Sequence, residues 1–250
     1  MSQLTISAGV EFLEKFPDWQ YAARLFDHTL LEPDATRSQI VQLCEEAAAF
    51  GFAAVFVHQT WAALAWSIVA GSGVKVGVPV GFPQGASLTS VKRHEAEEAL
   101  RIGASEIDMV LNIGRLKSGD RALVQNDIVG VSRLVHANGG TLKVILETSL
   151  LTIDEKIVAC QLSLAAGADF VKTSTGCAGG GATVDDIALM RGVVGDKMGV
   201  KASGGIRSAA EALTMINAGA SRIGTRSAVS IVHELGAPSF PSGSKPRDIY

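Results

Sequence analysis

Short β-branched runs alternate with longer stretches at helical spacing from one end of this 250-residue chain to the other, and that alternation leaves few folds open. The strand candidates are Leu25 to Leu31, Ala53 to Val57, Val74 to Val80, Glu106 to Ile113, Leu142 to Thr148, Phe170 to Ser174, Val200 to Ser203 and Arg222 to Thr225. Between them lie amphipathic segments such as "TRSQIVQLCEEAAAFG", "TSVKRHEAEEALRIG" and "TIDEKIVACQLSLAAG", many opened by Ser, Thr or Asp and closed by Gly, as helices are. Strand-helix units in series imply parallel strands with right-handed crossovers and a sheet covered on both faces. Eight such units in 250 residues fit a single (β/α)8 TIM barrel better than an open sheet.

The Gly-Ala pairs at Gly103, Gly167 and Gly219 precede strands, where a helix needs a left-handed stop before a tight turn. Residues 1–24 are expected to form an N-terminal helical extension, and the Pro-, Ser- and Gly-rich residues 236–250 an irregular tail. No linker or low-complexity segment divides the chain, so one domain is expected.

Basic residues number 22 and acidic residues 25, a net charge of −3 with no long run of either sign, so neither a nucleic acid nor a membrane surface is indicated as partner. Apolar stretches are broken well before a membrane-spanning length, and the start lacks a basic flank followed by an apolar core. A cytoplasmic protein is expected. Cys44, Cys160 and Cys177 are widely spaced and odd in number, which suits free thiols in a reducing compartment.

Two strand candidates carry a lysine where a buried side chain belongs: Lys172 in "FVKTST" and Lys201 in "VKASGG". An unpaired buried ammonium costs several kcal/mol or sheds its proton. In a barrel these sixth and seventh strands are neighbours, and alternate residues point inward. Burial and a nearby like charge both lower a lysine pKa. An ordinary lysine, with a pKa of about 10.4, leaves only about one molecule in 2,000 neutral near pH 7. A depressed one is a nucleophile and can form a Schiff base with a carbonyl, using no cofactor. The competing reading is that each lysine snorkels to solvent or pairs with a carboxylate.

Asp108 in "EIDMVLNIG" is a third polar intruder, either a proton relay or a plain ion-pair partner for the lysines. Lys143 and Glu147 in "LKVILET" form another candidate inward pair, structural or substrate-orienting. "ASGGIRSAAEAL" and "IGTRSAVSIV" place glycines and helix starts after the seventh and eighth strands, where many barrels bind phosphate; an ordinary Gly-Gly turn is the alternative. A nucleotide-triphosphate loop of the G-x-x-x-x-G-K-[ST] kind is missing, and no close His, Asp and Glu spacing suggests a metal.

"DHTLL", "GFPQGAS", "EIDMVLNIG", "LKVILET", "ADFVKTSTG", "GGATVDDIALMR", "VKASGGIR" and "RIGT" together resemble deoxyribose-phosphate aldolase over about residues 27–227. The resemblance implies a class I aldolase that reversibly splits 2-deoxy-D-ribose 5-phosphate into D-glyceraldehyde 3-phosphate and acetaldehyde. It implies Lys172 as the Schiff-base lysine, Lys201 as the lysine that perturbs it, and Asp108 as the proton relay. Gly204, Gly205, Ile206, Arg207, Gly224, Thr225 and Ser227 match the phosphate loops, and the final residue, Tyr250, matches a tyrosine that moves protons at the substrate methyl carbon in some members. The expected partners are phosphosugar and aldehyde substrates, with a homodimer as the assembly.

Several positions depart from the family's pattern. Phe56, His58 and Gln59 stand where relatives often carry Cys-Val-Asn-Pro, and Glu32 where a lysine is common. Cys177 replaces a usual Phe. Arg226 replaces a small residue and either adds a phosphate contact or faces solvent, the latter being the preferred reading. Two other functions remain open at this level: a Schiff-base aldolase for a different phosphosugar, and a non-catalytic phosphosugar binder.

Overall fold

The computed structural model describes residues 18–239, and in it eight parallel strands close into a barrel in sequence order, β1 pairing with both β2 and β8. The strands are β1 (Phe26–Leu30), β2 (Ala54–Val57), β3 (Lys75–Val80), β4 (Glu106–Val110), β5 (Thr141–Ile145), β6 (Phe170–Lys172), β7 (Gly199–Ser203) and β8 (Arg222–Thr225). Every strand expected from the sequence is present, most of them a residue or two shorter. The fourth and fifth are cut further for local reasons. Asn112 caps the short helix Ile113–Lys117 by accepting from Arg115 N, and Glu147 takes a positive φ of 57° that no strand continues through.

Helix ends follow the capping chemistry of the sequence. Thr152 with Glu155 and Ser208 with Glu211 form reciprocal capping boxes ahead of helices Ile153–Ala165 and Ala209–Asn217. The glycine of each Gly-Ala pair has positive φ, so the chain leaves the helix and enters the next strand without a Cβ clash. Of the expected N-terminal extension, helix Trp19–Ala23 lies within the described residues. Residues 236–239 form no regular element, and Tyr250 lies outside the described residues.

Alternation along each strand separates two interiors. Val55, Val57, Val76, Val78, Ile107, Met109, Val144, Val171, Val200 and Ile223 belong to the apolar core, between sheet and helices. Each such side chain contributes roughly 1.5–3 kcal/mol by leaving water. The opposite parity gives the barrel lumen, and there the sequence is charged: Asp27, Glu106, Asp108, Lys143, Lys172 and Lys201 are all buried. Glycine on a neighbouring strand makes room for the largest lumen side chains. Gly77 pairs with Phe56, and a Cβ on it would lie 2.2 Å from the Phe56 ring. Gly199 stands in the same relation to Phe170, at 2.1 Å.

Among the described residues, a fully buried ion pair also lies outside the lumen. Lys92 on helix Thr89–Arg101 reaches Asp127 on helix Arg121–Ala137 at 2.6 Å and donates to the Val110 carbonyl at 3.0 Å, tying two helices to the end of β4.

Candidate active site

Strand register brings Asp108 beside Lys143 and Lys172 beside Lys201, and the side chains converge in the lumen. Lys172 Nζ donates to Asp108 Oδ2 at 2.9 Å and Lys201 Nζ to the same oxygen at 2.8 Å. Lys143 Nζ donates to Asp108 Oδ1 at 3.0 Å and to Glu106 Oε2 at 2.5 Å. Lys201 also forms an ion pair with Asp27 Oδ2 at 2.6 Å, and Arg222 donates to Asp27 Oδ1 at 2.7 Å. The two lysines singled out from the sequence are thus neighbours, but they do not face each other bare: a shared carboxylate oxygen bridges them.

The cluster holds four cationic groups, Lys143, Lys172, Lys201 and Arg222, against three anionic ones, Asp27, Glu106 and Asp108. Full ionisation leaves one positive charge in excess, and release of one proton makes the cluster neutral. That release falls on a buried group with rivals for its partners. Lys201 is pushed down to about 8, burial being the main cause, with Lys172 and Lys143 adding repulsion against the attraction of Asp108 and Asp27. Asp108, although buried, is held well below the usual carboxylate range by Lys143, Lys172 and Lys201. Lys143 moves the other way, above the ordinary lysine value, because Asp108 and Glu106 outweigh its burial.

Phe56 completes the lumen. Its ring centroid lies 3.7 Å from Lys201 Nζ, 4.6 Å from Lys143 Nζ and 5.7 Å from Lys172 Nζ, so an aromatic π-system stands among three ammonium groups. Three members of the cluster, Asp27, Glu106 and Arg222, received no role from the sequence. A charged residue at the inward parity of a strand, two positions before Asp108 in the case of Glu106, is the signal that would have found them.

A cavity of about 480 Å3 opens above β6, β7 and β8, within the range of small-molecule sites. Lys172 lines it, whereas Lys201 and Lys143, only 1% and 0% exposed, lie behind. Gly204, Gly205, Ile206, Arg207, Gly224, Thr225 and Ser227 line it too. The loops after β7 and β8 are joined by Thr225 Oγ1, which donates to the Ile206 carbonyl at 2.6 Å. Gly204 and Gly205 have φ of 90° and 84°, a backbone that glycine adopts freely and that exposes the main chain to the cavity. The strand ends beneath are cross-tied, Ser203 N donating to Thr173 Oγ1 and Thr173 Oγ1 to Ser203 O, both at 3.0 Å.

One sequence expectation needs correction. Glu147 does not pair with Lys143; it lies beyond β5 and accepts from Thr175 N at 3.1 Å and from Thr175 Oγ1, bracing the loop after β6. Arg226 is largely solvent-exposed, as the preferred reading had it. It lines the cavity and forms an ion pair with Glu32 from the loop after β1. Cys44 and Cys160 are buried, their thiols pushed up to about 12 by burial, while Cys177 is exposed at the cavity wall.

The sequence profile of the DeoC/LacD family aldolases matches residues 21–231. The chain belongs to that family. Its curated relatives include the deoxyribose-phosphate aldolase of Streptococcus sanguinis, 54% identical over 209 residues, which span 84% of this chain and 94% of that protein. The deoxyribose-phosphate aldolase of Brevibacillus brevis is 54% identical over 220 residues, 88% of this chain and 98% of that one. Among solved structures, a putative deoxyribose-phosphate aldolase from Coccidioides immitis superposes with a TM-score of 0.84 at 42% identity, over 92% of this chain and 95% of that one. The deoxyribose phosphate aldolase of Aeropyrum pernix, which is tetrameric, gives 0.82 at 32% identity, over 93% and 97%. The family's barrel is therefore shared along nearly the whole described chain. Among the described residues, no helix is long and apolar enough to cross a membrane.

Proposed function

We propose that this chain is a class I deoxyribose-phosphate aldolase, which reversibly cleaves 2-deoxy-D-ribose 5-phosphate to D-glyceraldehyde 3-phosphate and acetaldehyde through a Schiff base on Lys172. One observation carries the assignment of the nucleophile: of the three clustered lysines, Lys172 alone lines the cavity that the two glycine loops enclose.

In the cleavage direction the Lys172 amine attacks the C1 aldehyde of the open-chain sugar, and loss of water gives an iminium. Removal of the C3 hydroxyl proton lets the C2–C3 bond break, its electron pair moving into the iminium to form an enamine while D-glyceraldehyde 3-phosphate departs. Protonation of the enamine at C2 and hydrolysis release acetaldehyde and restore the lysine. Without the iminium as electron sink, the departing carbanion is too high in energy.

Lys201 supplies the proton traffic and Asp108 the charge that organises it. A proton leaving Lys172 can be taken up by Lys201 in its neutral form, since Lys201 shares Asp108 Oδ2 with it and burial pushes its pKa down to about 8. Asp108, held far below its ordinary range, acts first as the fixed negative charge that keeps both nitrogens within reach. Phosphate binding falls to the loops after β7 and β8, which places the sugar's C1 end toward Lys172.

Acetaldehyde plus borohydride tests this reading directly, with an added ethyl group expected on Lys172 by intact mass and peptide mapping. An unmodified chain would refute the Schiff base. Activity on other phosphosugars exceeding that on deoxyribose 5-phosphate would refute the substrate while keeping the chemistry.

A further inference from the structure

Charge along the cavity wall is uneven. Among the described residues that line it, Lys172, Arg207 and Arg226 are basic and Glu32 is the one acid. A carboxylate there works against an anionic ligand, yet the main chain that carries Glu32 is anchored: His58 Nε2 lies 3.0 Å from the carbonyl oxygen of Leu31, next to it in sequence. Its Oε1 accepts from Arg226 Nη1, while Oε2 is shielded from solvent and has no hydrogen-bond partner. Arg226 is the less constrained member, its side chain 62% exposed. It also borders a second cavity of about 180 Å3, which Thr29 lines as well. A guanidinium with a planar fork suits a phosphate group better than it suits one oxygen of a carboxylate.

We propose that Arg226 is an exchangeable cation for the substrate phosphate: Glu32 holds it in the empty site, and a phosphate dianion draws it inward. The pair thereby sets the preference for phosphorylated over unphosphorylated substrates. The proposal rests on the aldolase reading of this cavity. Glu32 screens the site against anions too weak to compete for Arg226, and a dianion both gains the guanidinium and leaves the carboxylate exposed to water.

A simple latch between the β1 and β8 loops would make the two residues equivalent, since removing either breaks the same contact. Exchange gives them opposite signs. Titration calorimetry with inorganic phosphate reads this without turnover. Arg226→Ala is expected to weaken phosphate binding about tenfold, the loss of one charge-assisted contact, and Glu32→Gln to strengthen it about threefold. The ratio of kcat/KM for deoxyribose 5-phosphate to that for deoxyribose should fall with the first variant and rise with the second. Shifts of the same sign in both variants, or a wild-type chain that binds no phosphate, would overturn the proposal. Failure of the borohydride trap sinks the aldolase chemistry, whereas the phosphate affinities still judge Arg226 separately.

Discussion

Replacing Phe56 with leucine removes an aromatic face from the lysine cluster and leaves every charge in place. A cation over a ring contributes about 0.5–1 kcal/mol when exposed and about 2 kcal/mol when desolvated. Lys201 is 1% exposed with its Nζ 3.7 Å from the centroid, so the desolvated figure applies. The ring favours the charged lysine, and its loss therefore lowers the Lys201 pKa. At about 1.4 kcal/mol per unit the drop is about 1 to 1.5 units, from a starting value of about 8. Neutral Lys201 at pH 7 should then rise from about one molecule in ten to about one in two or more. The assay is kcat/KM for deoxyribose 5-phosphate cleavage from pH 6 to 10, whose rising limb reports the free enzyme. That limb should move toward acid by about one unit, with a stability loss of roughly 1–2 kcal/mol from the smaller side chain. A limb that stays fixed or moves toward alkali would mean that water or the carboxylates, and not the ring, set the proton affinity.

Packing around the same ring gives a second expectation: Gly77→Ala puts a methyl 2.2 Å from Phe56 and should cost about 1–3 kcal/mol in denaturant unfolding, most of it recovered in the double variant with Phe56→Leu. Equal losses in the single and double variants would show that the strand, not the ring, resists the methyl. Remote from the lumen, Lys92→Met leaves Asp127 buried and unpaired and should cost about 3–5 kcal/mol, with Asp127→Leu added to it restoring stability. A single variant that melts like the wild type would show that this pair carries no structural charge.

The barrel was legible in the sequence because period-two and helical spacing alternate without interruption, and because several helices, such as Ile153–Ala165 and Ala209–Asn217, carry their own capping residues. Strand ends were not: "EIDMVLNIG" reads as one apolar run, but the Asn112 side chain gives the backbone a local hydrogen bond that begins a helix instead. Lys172, Lys201 and Asp108 stood out as charges inside strands, and the lumen does bring their nitrogens and oxygens together. Lys143 was misassigned to Glu147, because parity puts both on one face but says nothing of where the strand stops.

The amino-acid order alone determined which positions face the lumen and that charge, rather than Val or Ile, fills it. Only closure of the barrel decided who meets whom. Asp27 and Arg222, 195 positions apart in sequence, touch because β1 pairs with β8, and that contact together with Asp108 distributes the cations over the available carboxylates. Proton affinity is a property of that three-dimensional distribution, since Coulomb energy depends on distance and burial and not on position along the chain.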